Sequence, residues 1–215
     1  MKIGIITGAG ALIGAKFYND LIVSLNKKGA INDHEYPEII LHQYPFNLND
    51  KGYFDTNKTI KNINNSLKLM NDSNINTLVY LCNSITELIQ DKNAINIIDE
   101  TTKKIDYIYK NEKIKIIASE YTIKNRLYAN RIMENDVIES TQSEIDIYTD
   151  IINLILQGKN KEAKKIYKDL IKEYKKKNYK VILGCTEFNI INKNKEVIDC
   201  VEVIKESLLE QIKLK

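Results

Sequence analysis

Apolar residues follow two alternating rhythms along this chain. Short, mainly apolar runs occupy Lys2–Ile6, Pro37–His42, Thr77–Leu81, Lys113–Ala118 and Tyr179–Gly184. A run that is apolar at successive positions predicts a short strand buried on both faces. Between these runs the spacing changes to three and four. It does so at Leu12, Ala15, Leu21, Ile22 and Leu25, then at Ile60, Ile63, Leu67 and Met70. It returns at Ile145, Tyr148, Ile152 and Ile155, through Ala163, Tyr167, Leu170 and Tyr174, and at Val201, Ile204, Leu208 and Ile212. Each set places one apolar stripe on one helix face.

Weaker signals fill the gaps. A helix is expected from Ser84 to Gln90, a short strand at Ile95–Ile98, and a helix capped by Asp99 and running to Tyr109. Another helix is expected from Ser119 through Ile132, with minimal strands at Val137–Ile138 and Val197–Ile198. The segment from Gln43 to Asp55 holds Pro45, Asn47, Asn49, Asp50 and Gly52 and reads as a loop.

Strands alternating with helices predict an α/β protein with parallel sheets covered on both faces and right-handed crossovers. Such sheets bind ligands at the carboxyl ends of their strands. Three polar turns fall at those ends. They are Thr7–Gly14 after the first strand, Cys82-Asn83-Ser84 after the third, and Cys185-Thr186-Glu187 after Tyr179–Gly184.

Composition narrows the class without naming a function. The chain has 215 residues, 43% of them hydrophobic and 28% charged, enough for one large domain or two small ones. A net charge of +3 with scattered lysines gives no reason to expect nucleic acid. The dense run Lys175–Lys177 closes a helix, where cations meet the negative end of its dipole. No run of about 18 apolar residues predicts a membrane span. The start of the chain lacks the apolar core of a signal peptide. Three cysteines, an odd number, fit reduced thiols in the cytoplasm better than a disulfide framework.

The glycine turn has three readings. Gly8, Gly10 and Gly14 approach a dinucleotide fingerprint, but the second strand ends in His42-Gln43 with no carboxylate for a ribose. The turn also suits a substrate carboxylate at a helix N-terminus, or close packing of helix on strand. Metal binding is not expected, with two histidines and no closely spaced cysteine pair. Cys200 reads as a small core residue.

Cys82 and Cys185 differ from it. Each ends a buried strand where a helix should open, a setting that favours thiolate. Each is followed by polar groups, Asn83 and Ser84 or Thr186 and Glu187, suited to holding substrate atoms. Inverting a stereocentre needs a base on one face of a carbon and an acid on the other. Two like thiols serve both directions, and no cofactor is called for.

At these residues the chain resembles the aspartate/glutamate racemase family of cofactor-independent amino-acid racemases. Ile3–Gly10 looks like that family's opening glycine motif. Cys82-Asn83-Ser84 is similar to its C-N-T motif. Ser119–Lys124 with Leu127-Tyr128 is similar to its G-T-x-x-T segment and following tyrosine. Gly184-Cys185-Thr186-Glu187 matches its G-C-T-E motif without change.

The resemblance implies two similar α/β domains facing each other across an active-site cleft, 1–103 plus 197–215 and 104–196. It implies Cys82 and Cys185 as opposed acid and base. Ala9, Asn83, Ser84, Thr186 and Glu187 would bind an amino-acid substrate, and the protein would be a homodimer. The sequence departs from the family in the loop Tyr44–Lys51. Aspartate-type members often carry an arginine there, and this loop has none. Lys51 or Lys124 would have to meet an acidic side chain, or the substrate is neutral. A maleate- or hydantoin-type isomerase, a non-catalytic ligand-binding relative and a redox pair are the rival readings.

Overall fold

The computed structural model describes residues 1–213. Leu214 and Lys215, the end of the segment 197–215 assigned above to the first domain, lie outside the described residues. Strands β1 (Lys2–Thr7), β2 (Glu38–Gln43), β3 (Thr77–Tyr80) and β4 (Ala94–Ile95) form one sheet in the order β2-β1-β3-β4. Strands β5 (Lys113–Ile117), β6 (Asp136–Ile138), β7 (Lys180–Leu183) and β8 (Ile198–Asp199) form a second in the order β6-β5-β7-β8. Every pairing is parallel. The second sheet therefore repeats the topology of the first, and β7 stands where β3 stands.

The helices are α1 (Ala11–Lys27), α2 (Thr56–Asp72), α3 (Ile97–Ile108), α4 (Glu120–Lys124), α5 (Gln142–Leu156), α6 (Asn160–Lys176), α7 (Phe188–Ile191) and α8 (Cys200–Gln211). Side chains fix several starts. Asp55 accepts the amide of Lys58 to open α2, and Thr141 with Glu144 forms a capping box on α5. Among the described residues no helix is long and apolar enough to cross a membrane.

The central strands carry the core. Ile3, Ile5, Ile114, Ile116 and Ile182 belong to one apolar cluster with Phe17 of α1 and Ile204 of α8. This cluster is continuous between the two sheets. The last helix reinforces that, because α8 packs on both α1 and α3.

Four expectations need correction. The segment Pro37–His42 was expected to be buried, yet β2 is an edge strand and Leu41 is 41% exposed. An apolar run cannot report on which strand lies at an edge. The helix expected at Ser84–Gln90 is only a 3-10 turn over Thr86–Leu88. The helix expected from Ser119 to Ile132 stops at Lys124, because Arg126 adopts a left-handed φ of 52°. Asp99 lies inside α3, whose cap is Asn96. The Asn96 side chain takes the amides of Ile98 and Asp99 and ends the strand at Ile95.

The second sheet buries a polar knot. Lys115 is 1% exposed. Its Nζ donates to the Glu139 carbonyl at 2.8 Å and to Glu144 Oε2 at 2.9 Å. Glu144 Oε1 accepts from the Tyr174 hydroxyl at 2.8 Å. Burial pushes the Glu144 carboxyl up, but Lys115, the Thr141 amide and Tyr174 outweigh it and hold it below the ordinary range. A depressed carboxyl contributes stability above its unfolded value and loses it as pH falls through the folded one.

Lys115→Ala leaves that carboxylate without its counter-charge, so urea unfolding at pH 7 should show a loss of about 3 kcal/mol. The gap from wild type should narrow as pH falls below the ordinary carboxyl value of 4.5. An unchanged urea midpoint would show that the knot does not stabilise the fold.

Candidate active site

Cys82 lies two residues beyond β3 and Cys185 two residues beyond β7, so the repeat places them at equivalent strand ends. Both thiols line one cavity of about 220 Å³. That is below the usual range for drug-sized ligands, about 300–1,000 Å³, and suits a small molecule. Ala9, Asn83, Ser84, Thr186 and Glu187 line the same cavity, so all seven residues singled out in the sequence come together.

Further residues join them from places the strand pattern did not mark. Ser119 and Thr122 come from the end of β5 and the start of α4. Phe46, Leu48, Asn49, Asp50 and Gly52 come from the loop between β2 and α2, and Ile152 and Leu156 from α5. Ser119 and Thr122 had a signal, since Ser119 ends a buried apolar run as Cys82 and Cys185 do. The loop residues had none beyond the glycine.

That loop bridges the two halves. The Tyr121 amide donates to the Lys51 carbonyl at 3.0 Å, and Asn153 Nδ2 donates to Asp50 Oδ2 at 3.2 Å. Tyr53 and Phe54 both pack their rings on Tyr121. Gly52 sits over the hydroxyls beneath it with φ at +84°. A Cβ there would lie 2.7 Å from Ser119 Oγ and 2.8 Å from Ser84 Oγ, so a side chain would push the loop off the site.

Lys51 and Lys124 do not line the cavity. Lys51 Nζ lies 3.3 Å from Glu120 Oε2, and Lys124 Nζ lies 2.7 Å from Glu120 Oε1. Both lysines neutralise a carboxylate that is only 8% exposed.

Hydrogen bonds tie the site together across the sheets. Tyr128 donates its hydroxyl to Asn83 Oδ1 at 2.6 Å, and Asn83 Nδ2 donates to Cys200 Sγ at 3.6 Å. These contacts fix the Asn83 amide from behind, and they give the buried Cys200 a polar partner. Ser119 Oγ is 3.4 Å from Ser84 Oγ and 3.0 Å from Thr122 Oγ1. On the other wall Cys185 Sγ donates to Glu187 Oε2 at 2.9 Å, and Thr186 Oγ1 donates to the same oxygen at 3.1 Å.

The glycine turn explains how Glu187 fits. Gly10 has φ +106°, and a Cβ built on it would lie 2.1 Å from Glu187 Oε1. Only the absence of a side chain lets the carboxyl group of one half rest on the turn of the other. The same turn opens α1, whose first residues lack a side-chain cap and whose first turn holds no acid. Unfilled amides at the positive end of a helix suit an anionic ligand group.

The thiols are not in the thiolate-favouring setting expected from sequence. Only a 3-10 turn follows Cys82, and α7 spans only Phe188–Ile191, so neither sulfur faces the dipole of a long helix. Burial pushes Cys82 up to about 12, the Glu187 carboxylate adds to this, and the Ile85 and Ser84 amides oppose it. Burial, then Glu187, also raises Cys185 well above the ordinary thiol value. Burial raises Glu187 itself, against the hydrogen bonds from Cys185 and Thr186. Both sulfurs therefore rest as thiols in the free protein. Among the described residues no group of three or more histidine, cysteine or carboxylate side chains is arranged to hold a metal.

Iodoacetamide labelling followed by mass spectrometry should accordingly be slow at Cys82 and Cys185 at pH 7 and accelerate as pH rises. Glu187→Gln removes a negative charge beside Cys185 and should raise its labelling rate at a fixed alkaline pH. Equal labelling at pH 6 and pH 9 would contradict this electrostatic picture.

No family model and no curated protein matches the sequence. Solved structures do match the fold. The aspartate racemase of Picrophilus torridus superposes with a TM-score of 0.82 at 20% identity, covering 100% of this chain and 96% of that one. An aspartate racemase homologue from Pyrococcus horikoshii gives 0.73 at 20% identity, with 97% of each chain covered. The glutamate racemase of Aquifex pyrophilus gives 0.54 at 21% identity, over 99% of this chain and 84% of that one. With two four-stranded parallel sheets flanked by helices, this chain has the α/β fold of the aspartate and glutamate racemases.

Proposed function

We propose that the chain is an amino-acid racemase of the aspartate/glutamate racemase family, with Cys82 and Cys185 as the opposed acid and base. The observation that carries this reading is one cavity lined by both thiols, which lie far apart in sequence at equivalent strand ends. An α-carbon held between the sulfurs would have one on each face. Ala9, Asn83, Ser84, Thr186 and Glu187 would hold the rest of the amino acid, joined by Ser119 and Thr122.

The proton balance follows from the contacts. Cys185 passes its proton to Glu187, 2.9 Å away, and the thiolate takes the α-proton from one face of the substrate. The electron pair left on the α-carbon spreads into the substrate carboxylate, which the hydroxyls and turn amides of the cavity stabilise. The Cys82 thiol then gives its proton to the opposite face, and after product leaves, solvent takes the proton from Glu187 and returns one to Cys82, which restores the starting state. Reversal exchanges the roles of the two sulfurs. No cofactor enters the scheme.

Charge explains how thiols held above their ordinary range come to react. The cavity has no cation of its own among its lining residues. A bound substrate brings an ammonium group into that space, and a nearby positive charge lowers a thiol pKa. The base is therefore generated when substrate is present, while the empty site keeps both sulfurs protonated. The two directions are not equivalent. Cys185 has a carboxyl acceptor, whereas Cys82 has only the Ser84 and Ile85 amides.

Incubation with single amino-acid enantiomers in heavy water should introduce deuterium at the α-carbon and produce the opposite enantiomer, both read by chiral chromatography with mass detection. Cys82→Ala or Cys185→Ala should reduce inversion by at least about 100-fold, the lower end of what one positioned acid or base supplies. Failure of every common amino acid to gain deuterium would sink the racemase reading.

A further inference from the structure

The lining of the cavity bears on which amino acid enters it. Two carboxyl groups line it, Asp50 and Glu187, and no lysine, arginine or histidine does. The thiols add negative charge whenever one of them ionises. The hydroxyl donors Ser84, Ser119, Thr122 and Thr186 gather at the strand ends, where they suit one substrate carboxylate. Phe46, Leu48, Ile152 and Leu156 add apolar side chains to the lining, and Asp50 meets α5 at Asn153.

The lysines on neighbouring segments are already committed. Lys51 and Lys124 sit 3.3 and 2.7 Å from the two oxygens of Glu120. Glu120 Oε2 accepts no hydrogen bond and has the ion pair with Lys51, while Lys124 pairs with the other oxygen of the same carboxylate. Turning Lys51 towards a substrate would give up one of the two ion pairs on a buried carboxylate and leave its Oε2 without a partner. The Lys51 carbonyl is also held by the Tyr121 amide at 3.0 Å. Asp50, by contrast, keeps only the neutral Asn153 amide as partner, at 3.2 Å. It is an exposed residue of the cavity lining with no cationic partner among the described residues.

We infer that the preferred amino acid carries no second carboxylate, and that the side-chain end of the cavity takes an uncharged or cationic group beside Asp50. Aspartate and glutamate would place a negative charge where the protein offers two more and no counter-charge. An aliphatic stem would lie on Phe46, Leu48, Ile152 and Leu156, and an ammonium at its end would meet Asp50. This inference rests on the racemase reading for the orientation of the substrate in the cavity.

Calorimetric titration of the intact protein separates the two ideas when paired with the deuterium assay. The probes are alanine, serine, ornithine, lysine, aspartate and glutamate. At least one of the first four should bind about tenfold or more tightly than either dicarboxylic acid, as like-charge juxtaposition requires. Asp50→Asn should weaken lysine and ornithine and strengthen aspartate, narrowing that gap. Dicarboxylic acids binding as tightly as the best of the others, or an affinity order unchanged by Asp50→Asn, would overturn the specificity assignment while leaving racemisation standing. The expected order of affinities without α-deuterium exchange would overturn racemisation and leave the specificity assignment. Binding by none of the six would overturn both.

Discussion

A buried carboxyl group from one half of the molecule rests on a turn of the other that has no side chain to displace it. Glu187 follows Cys185 on the second sheet, and its Oε1 occupies the space where a Cβ on Gly10 would stand. The same carboxyl accepts from the Cys185 thiol and the Thr186 hydroxyl. One contact therefore sets the approach of the two sheets, the orientation of a sulfur and the charge of the cavity floor. Around it, Tyr128 reaches across to Asn83, and the Ser84 and Ser119 hydroxyls meet at the seam.

Electrostatics gives the empty cavity a distinct resting state. Sulfur and carboxyl groups removed from water resist ionisation, and they raise one another further when negative. With no cation in the lining, only hydrogen bonds oppose that penalty until a ligand brings a positive charge. A site built this way keeps its nucleophilic groups quiet in the absence of substrate. In the proposed reaction it would also discriminate by charge, since each ligand would change a balance already weighted to the negative side. Glu120 acts as a sink for the two lysines that would otherwise shift that balance.

Local sequence made most of the architecture legible. The apolar runs that became β1, β3 and β7 are nearly continuous because those strands are covered on both faces, β5 is interrupted by the buried Lys115, and the amphipathic stripes of α2, α5 and α6 need only their own spacing. Errors came where a local pattern meets a competing local group or a remote one. Ile95–Ile98 reads as a strand by hydrophobicity, yet the Asn96 cap converts its second half into the start of α3. The expected helix beyond Ser119 was cut by the left-handed Arg126, a residue type that gives no warning of positive φ. β2 read as a buried strand because an edge position is a property of the sheet, not of the strand.

By itself the sequence determined the α/β alternation and the placing of Cys82 and Cys185 after buried strands, because periodicity and strand ends are properties of neighbouring residues. It also marked Ala9, Asn83, Ser84, Thr186 and Glu187, which flank those ends or the glycine turn. Only the tertiary structure decided that these residues line one cavity, and that a loop carrying Asp50 and Gly52 closes over it. It also decided that the sulfurs rest protonated and that Lys51 and Lys124 are spent on Glu120. Burial and charge proximity depend on groups distant in the chain, and no local pattern encodes them.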